Sequence, residues 1–157
     1  MATHVTGGPH RPGHADAANC RGLITVTMTF RRPRTRRRHP SYARYVYRIE
    51  HSATIVAACG DIDASNACDL LQEARCRTVI RRAPLILYLT AVTFLGSDGL
   101  RTLLAVGQRH ASTATPWIVV PGPATSRLLQ IGDTRRQIPT AASVSEALTI
   151  LRAARPI

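Results

Sequence analysis

The sequence predicts an α/β fold: a single domain on a mostly parallel or mixed five-stranded sheet with about four helices, in the order β-β-α-β-α-β-α-β-α. Three observations lead there. Apolar runs of strand length alternate with stretches whose apolar residues recur at helical spacing. Glycine and proline punctuate the joins between them. Apolar residues make up 45% of the chain and aromatics only 4%, so the core must be built from Leu, Ile, Val and Ala.

The elements follow in order. Tyr45-Val46-Tyr47-Arg48-Ile49 alternates as a strand, and Ala53 to Cys59 is a second strand rich in β-branched residues. Gly60-Asp61-Ile62-Asp63 ends it, with Asp63 as N-cap of a helix running to about Arg81. Ala67, Leu70, Leu71 and Ala74 give that helix its apolar face. Pro84 breaks the chain. Leu85 to Leu89 is a continuous apolar run, as in a central strand covered on both faces. Phe94 and Leu95 then precede Gly96-Ser97-Asp98-Gly99, where Ser97 reads as N-cap of a helix that buries Leu100, Leu103, Leu104 and Gly107. Trp117 to Val120 is a further strand, ended by Pro121-Gly122-Pro123. Leu128, Leu129 and Ile131 lie on a short helix closed by Gly132. Gln137-Ile138-Pro139 fits a short edge strand stopped by proline. The last helix opens on Ser143-Val144-Ser145-Glu146, a capping box, and buries Val144, Ala147, Leu148 and Leu151.

Length and charge divide the chain in two. With 157 residues there is room for one ordinary domain and a tail. The net charge is +12, and it is uneven: residues 1–45 hold nine arginines and one acid, Asp16, while residues 46–157 hold twelve arginines and eight acids. We therefore expect a basic, disordered extension over residues 1–44 and a folded domain over 45–157. The run Arg31-Arg32-Pro33-Arg34-Thr35-Arg36-Arg37-Arg38 repels itself, and Met28 offers a second start just before it. Such an arm suits an anionic partner, and residues 31–38 are the segment through which nucleic acid would bind. All 21 basic residues are arginine, which a GC-rich codon bias also produces.

Several chemistries find no support. The four cysteines, Cys20, Cys59, Cys68 and Cys76, form no C-x-x-C pair, and the histidines complete no zinc spacing, so no metal is expected and the thiols read as buried or half-buried. His51 and His110 read as surface histidines, and Tyr42, Tyr45 and Tyr47 as sheet packing at the tail junction. No nucleophile, base and orienting group come together, and there is no GxxxxGK[ST] loop. No enzyme and no cofactor is expected. No stretch approaches the ~20 apolar residues that cross a bilayer, and no signal peptide is evident, so a soluble cytoplasmic protein without membrane contact is expected.

Three blocks resemble the STAS family, shared by sulphate transporter tails and anti-sigma factor antagonists, and the resemblance spans roughly residues 45–155. Gly60-Asp61-Ile62-Asp63 is similar to the G-[DE]-[LI]-D that ends the family's second strand. Leu85 to Leu89 with Phe94-Leu95-Gly96-Ser97-Asp98-Gly99-Leu100 resembles the strand, loop and helix start that present a phosphoacceptor. Val119-Val120-Pro121-Gly122-Pro123 with Leu128, Leu129 and Ile131 resembles the segment after the fourth strand.

The resemblance implies an antagonist that binds an anti-sigma factor, itself a serine kinase, and so frees a sigma factor for transcription. Phosphorylation of a serine in a D-S-[ST]-G-L motif releases the antagonist, and a phosphatase resets it. By position the phosphoacceptor is Ser97, with Asp61, Asp63, Gly96, Ser97, Asp98 and Gly99 as the partner-binding set. Gly96 stands where the family carries Asp, and Asp98 where it carries Ser or Thr. Two other functions stay open beside this one: a STAS sensor of nucleotide or redox state without a Ser97 switch, and a nucleic-acid binder working through the arginine-rich arm.

Overall fold

The computed structural model describes residues 43–78 and 82–154. The basic extension, Cys20, Tyr42 and the run 31–38 lie outside the described residues.

Strand β1 (Ala43–Glu50) and strand β2 (Ala53–Ile62) form an antiparallel hairpin from Ala43 opposite Gly60 to Glu50 opposite Ala53. Their connection is only His51 and Ser52, with φ of 48° and 67°. Positive φ at both residues gives a two-residue loop the right-handed twist of the strands it joins. After the hairpin come α1 (Ala67–Thr78), β3 (Leu85–Leu95), α2 (Ser97–Ser112) and β4 (Trp117–Pro121). Helices α3 (Pro123–Gly132) and α4 (Val144–Ala153) close the chain. The sheet order is β1-β2-β3-β4, with β2, β3 and β4 parallel. Each parallel step crosses over through a helix, as parallel pairing requires.

Strand β3 lies between two apolar layers. Its residues Leu85, Leu87 and Leu89 face Val56, Leu70, Leu103, Val106 and Val119, in the layer covered by α1, α2 and part of α3. Ile86 faces the other way, with Ile55, Ile118, Val120, Ala147, Leu148 and Leu151 under α4. These side chains are almost fully buried, each Leu, Ile or Val contributing about 1.5–3 kcal/mol of transfer free energy. Tyr45 and Tyr47 pack on the first layer as expected, and Arg77 of α1 lies 3.9 Å over the Tyr47 ring. Burial, and next the Asp69 carboxylate, push the Tyr45 phenol above its ordinary range, so it stays neutral.

The expected capping box is present. Ser143 Oγ accepts from Glu146 N at 3.1 Å, while the Glu146 carboxylate reaches one residue further back, to Ala142 N at 2.6 Å. Val144 is half-buried, and Ala147, Leu148 and Leu151 are buried.

Five expectations are corrected. Among the described residues the sheet has four strands, not five: around Gln137-Ile138-Pro139 an isolated parallel bridge joins Val119 to Thr140. The amides a ladder would use are taken by Asp133, whose carboxylate accepts from Gln137 N at 2.8 Å and Ile138 N at 2.9 Å. Second, β3 continues past Leu89 to Leu95, because β2 stays beside it as far as Ile62. Third, the first helix begins at Ala67, four residues after Asp63. Fourth, Cys68 and Cys76 are exposed, since the inward face of α1 is Ala67, Leu70, Ala74 and Thr78; Cys59 is half-buried as expected. Fifth, His110 is not at the surface. It shares the buried face of α2 with Leu103 and Val106 and is only 4% exposed. Its Nδ1 lies 3.1 Å from the Thr115 carbonyl oxygen, and its ring tilts against Trp117 at 6.1 Å between centroids. His51 is exposed, as expected, and among the described residues no helix is long and apolar enough to cross a membrane.

Burial holds the His110 pKa below its ordinary 6.5. The folded chain then binds this proton less readily than the unfolded chain. The stability His110 confers is complete above about 6.5 and is lost as pH falls from there through the folded value. Urea titrations of the wild type and His110→Asn at several pH values should therefore diverge below pH ~6.5. The wild type should lose stability faster on acidification, by at most about 1.4 kcal/mol per pH unit for one proton.

Candidate functional site

The residues singled out as a site gather at one end of the sheet, where β2 and β3 finish and α2 starts. Parallel pairing sets Asp61 beside Phe94 and Ile62 beside Leu95, and the Gly96 amide donates to the Ile62 carbonyl at 2.9 Å. That last bond ties the loop before α2 to the end of β2. Gly96 is the helix N-cap, with extended backbone, and Ser97 is therefore the first helical residue rather than the cap. The difference matters chemically. A capping serine turns its hydroxyl back onto the helix amides, whereas Ser97 stands exposed on the first turn. Asp98 follows at the same tip, half-buried, with its Oδ1 3.4 Å from Arg101 Nη1. The Leu100 amide donates to the Gly96 carbonyl at 3.2 Å, so the amides of Ser97, Asp98 and Gly99 precede the first helical bond.

The turn between β2 and α1 forms the other side of this end. Asp63 does not cap the helix directly. Its Oδ1 accepts from Ser65 N at 2.8 Å and from Ser65 Oγ at 2.5 Å, closing an Asx turn. Asn66, buried beneath, accepts from Asp63 N at 3.0 Å through Oδ1 and donates through Nδ2 to the Asp61 carbonyl at 2.9 Å. A Cβ at Gly96 would stand 3.8 Å from Asp63 Cα, so the two loops touch. Asp61, Asp63, Gly96, Ser97 and Asp98 thus share one accessible end. Gly99 is buried: a Cβ there would lie 2.3 Å from Leu95 Cδ1 and 2.9 Å from Leu95 Cγ. Its contribution is the close seat of α2 on β3.

Two apolar side chains that sequence reading did not assign to the site lie exposed on α3 and beside the helix tip. Phe94 is 53% exposed at the end of β3, and Ile131 is 73% exposed on α3. The nearest available signal for Ile131 was the short, one-sided apolar pattern of its helix. Phe94 carried none, because its orientation depends on the register of β3 against β2.

No catalytic constellation is found among these groups, and among the described residues no three His, Cys, Asp or Glu side chains gather as metal ligands. A groove of about 740 Å³ lies at the opposite end of α2, between Gly107, His110, Trp117, Arg136 and Pro139.

The family model of the STAS domain matches residues 44–147, nearly the whole described region, and the chain belongs to the STAS domain family. Among solved structures, it is similar to an anti-sigma factor antagonist from Mycobacterium paratuberculosis, at 28% identity and TM-score 0.65, covering 73% of this chain and 97% of that one. The anti-sigma factor antagonist SpoIIAA in its unphosphorylated form matches at 16% identity and TM-score 0.56, covering 70% and 97%. The Bacillus cell fate determinant SpoIIAA in its phosphorylated form matches at 15% identity and TM-score 0.52, covering 69% and 100%. At those lower identities the likeness is one of fold. A sequence comparison with curated proteins finds no match.

Gly99→Ala should force α2 away from Leu95, an overpacking of the kind that costs about 1–3 kcal/mol. Denaturant unfolding should show a lowered midpoint with an unchanged slope, while Gly96→Ala, where a Cβ meets nothing closer than 3.4 Å, should stay near wild type.

Proposed function

We propose that this chain is an anti-sigma factor antagonist. It binds an anti-sigma factor of the serine-kinase type and so frees a sigma factor for transcription. Phosphorylation of Ser97 releases it, and a phosphatase restores it. The observation that carries this reading is Ser97 standing exposed on the first turn of α2, at the sheet end where Asp61 and Asp63 also lie.

The switch needs little movement. A phosphate adds a charge of about −1.5 to −2 at neutral pH. At this tip the helix amides tolerate it, since they form an anion-favouring helix start. A partner packed over Ser97 does not, because it would have to desolvate the phosphate beside Asp61 and Asp98. Arg101, paired with Asp98, stands one helical turn on from Ser97. Asp98 follows the acceptor directly, so this surface is already acidic before modification, and the added charge acts through repulsion and desolvation together. The family fold and the likeness to an anti-sigma factor antagonist at 28% identity support the partner class. The role is one of binding; the chain acts as a kinase substrate, without catalysis of its own.

Capture of partners from the native cell with the full chain, followed by mapping of phosphosites on the bait, tests this directly. An anti-sigma kinase should be recovered, with phosphate on Ser97. Ser97→Asp should weaken its binding about 10-fold or more, equivalent to ~1.4 kcal/mol, and Ser97→Ala should bind but resist release by ATP. Undiminished affinity in Ser97→Asp, or release of Ser97→Ala by ATP, would overturn the switch.

A further inference from the structure

Strand β3 departs from a plain strand just before Ser97. Residues Leu85, Leu87 and Leu89 of β3 point into the layer under α1 and α2, as strict alternation demands. Beyond them the inward positions are Val92 and Leu95, so alternation has slipped twice. The register explains it. Between Ala57 and Cys59 of β2 the partner strand advances from Tyr88 to Ala91, and between Gly60 and Asp61 it advances from Val92 to Phe94. At each shift β3 has one residue more than β2, the arrangement of a bulge, which re-aims the side chains after it.

The second shift decides which residue enters the core. Without the extra residue, Thr93, the inward position after Val92 would be Phe94. With it, Leu95 enters the core and Phe94 turns out to 53% exposure. The extra residue is also fastened. Thr93 Oγ1 donates to Asp61 Oδ1 at 2.5 Å, a charge-assisted bond across to β2 made by two otherwise exposed side chains. The Phe94 ring then lies along Gly96, its Cε1 3.4 Å from where a Cβ would stand, immediately before Ser97. A phenylalanine turned outward loses burial that a plain strand would have given it, and aromatic side chains are enriched where surfaces dock.

We infer that Phe94 is the anchor of the partner-binding surface, and that the Thr93–Asp61 hydrogen bond is a positioning device that aims it. This rests on the proposed function above. The partner is the anti-sigma factor, and the complementary feature on it is an apolar pocket that takes the Phe94 ring, rimmed by groups able to face Asp61 and Asp98. Phe94 and Ser97 are then neighbours in one interface, so a phosphate on Ser97 expels the partner at its best-packed point.

Titration calorimetry against the anti-sigma factor captured by the full chain tests the anchor and its support together. Phe94→Ala should lose about 100-fold in affinity, the size expected of a hot spot. Thr93→Val should lose about 10-fold and Thr93→Ser should bind as the wild type, since the hydroxyl returns. In a Phe94→Ala background Thr93→Val should cost nothing more, which a general loss of structure would not reproduce. Binding of Phe94→Ala within twofold of wild type overturns the anchor even though the antagonist reading survives. Failure to recover any anti-sigma factor sinks that reading and the anchor with it. The aiming device is read separately, without a partner. The chain has two phenylalanines, Phe30 and Phe94, so 4-fluorophenylalanine labelling gives two ¹⁹F lines. Thr93→Val should move the Phe94 line and Thr93→Ser should not; a line unmoved in Thr93→Val overturns the positioning role.

Discussion

The parallel pairing of β2 with β3 is the contact on which the rest of the molecule depends. From Thr54 opposite Leu85 to Ile62 opposite Leu95 the two strands stay side by side, although β3 needs two more residues than β2 to cover the distance. The pairing holds the central strand between both apolar layers. It also ends in a bond from the Gly96 amide to the Ile62 carbonyl, which fixes where α2 begins. The geometry of the Ser97 end is downstream of that. The first turn of α2 projects from the sheet edge because β2 holds the loop before it, and Gly99 lets the helix sit directly on Leu95.

The strand end is also where the electrostatics of the chain reverse. Overall the sequence carries a charge of +12, yet Asp61, Asp63 and Asp98 collect around Ser97. Each has a local structural task. Asp61 holds Thr93, Asp63 closes the turn before α1, and Asp98 pairs with Arg101 in the first turn of α2. None is buried, so their charges act on whatever approaches. A helix start favours added negative charge, while neighbouring carboxylates oppose it.

Much of the fold was legible in the chain. The Leu85–Leu89 run, the β-branched stretch after Ala53 and the helical spacing of Leu100, Leu103 and Leu104 all reappear as strands and a helix, because each is a local pattern with a local cause. The cap at Ser143 was legible for the same reason: capping groups lie within four residues of each other. Of the residues expected to bind a partner, Asp61, Asp63, Gly96, Ser97 and Asp98 lie at one sheet end. The expectations that failed each depended on a distant neighbour. A fifth strand at Gln137-Ile138-Pro139 was a fair reading of local texture, and Asp133 took its amides. A histidine near a helix end reads as exposed until Trp117 and Thr115 are folded against it.

Sequence alone determined the alternation of strands and helices, the apolar faces that hold them together and the motifs at the ends of β2 and β3. Periodicity and turn chemistry act over a few residues, so they are written in the chain itself. Only the tertiary structure decided that Leu95 rather than Phe94 enters the core, that Ser97 follows the cap instead of forming it, and that Gly99 faces inward. Those outcomes turn on how many residues β3 places beside β2, and that count is set by the packing of two strands more than thirty residues apart in the chain.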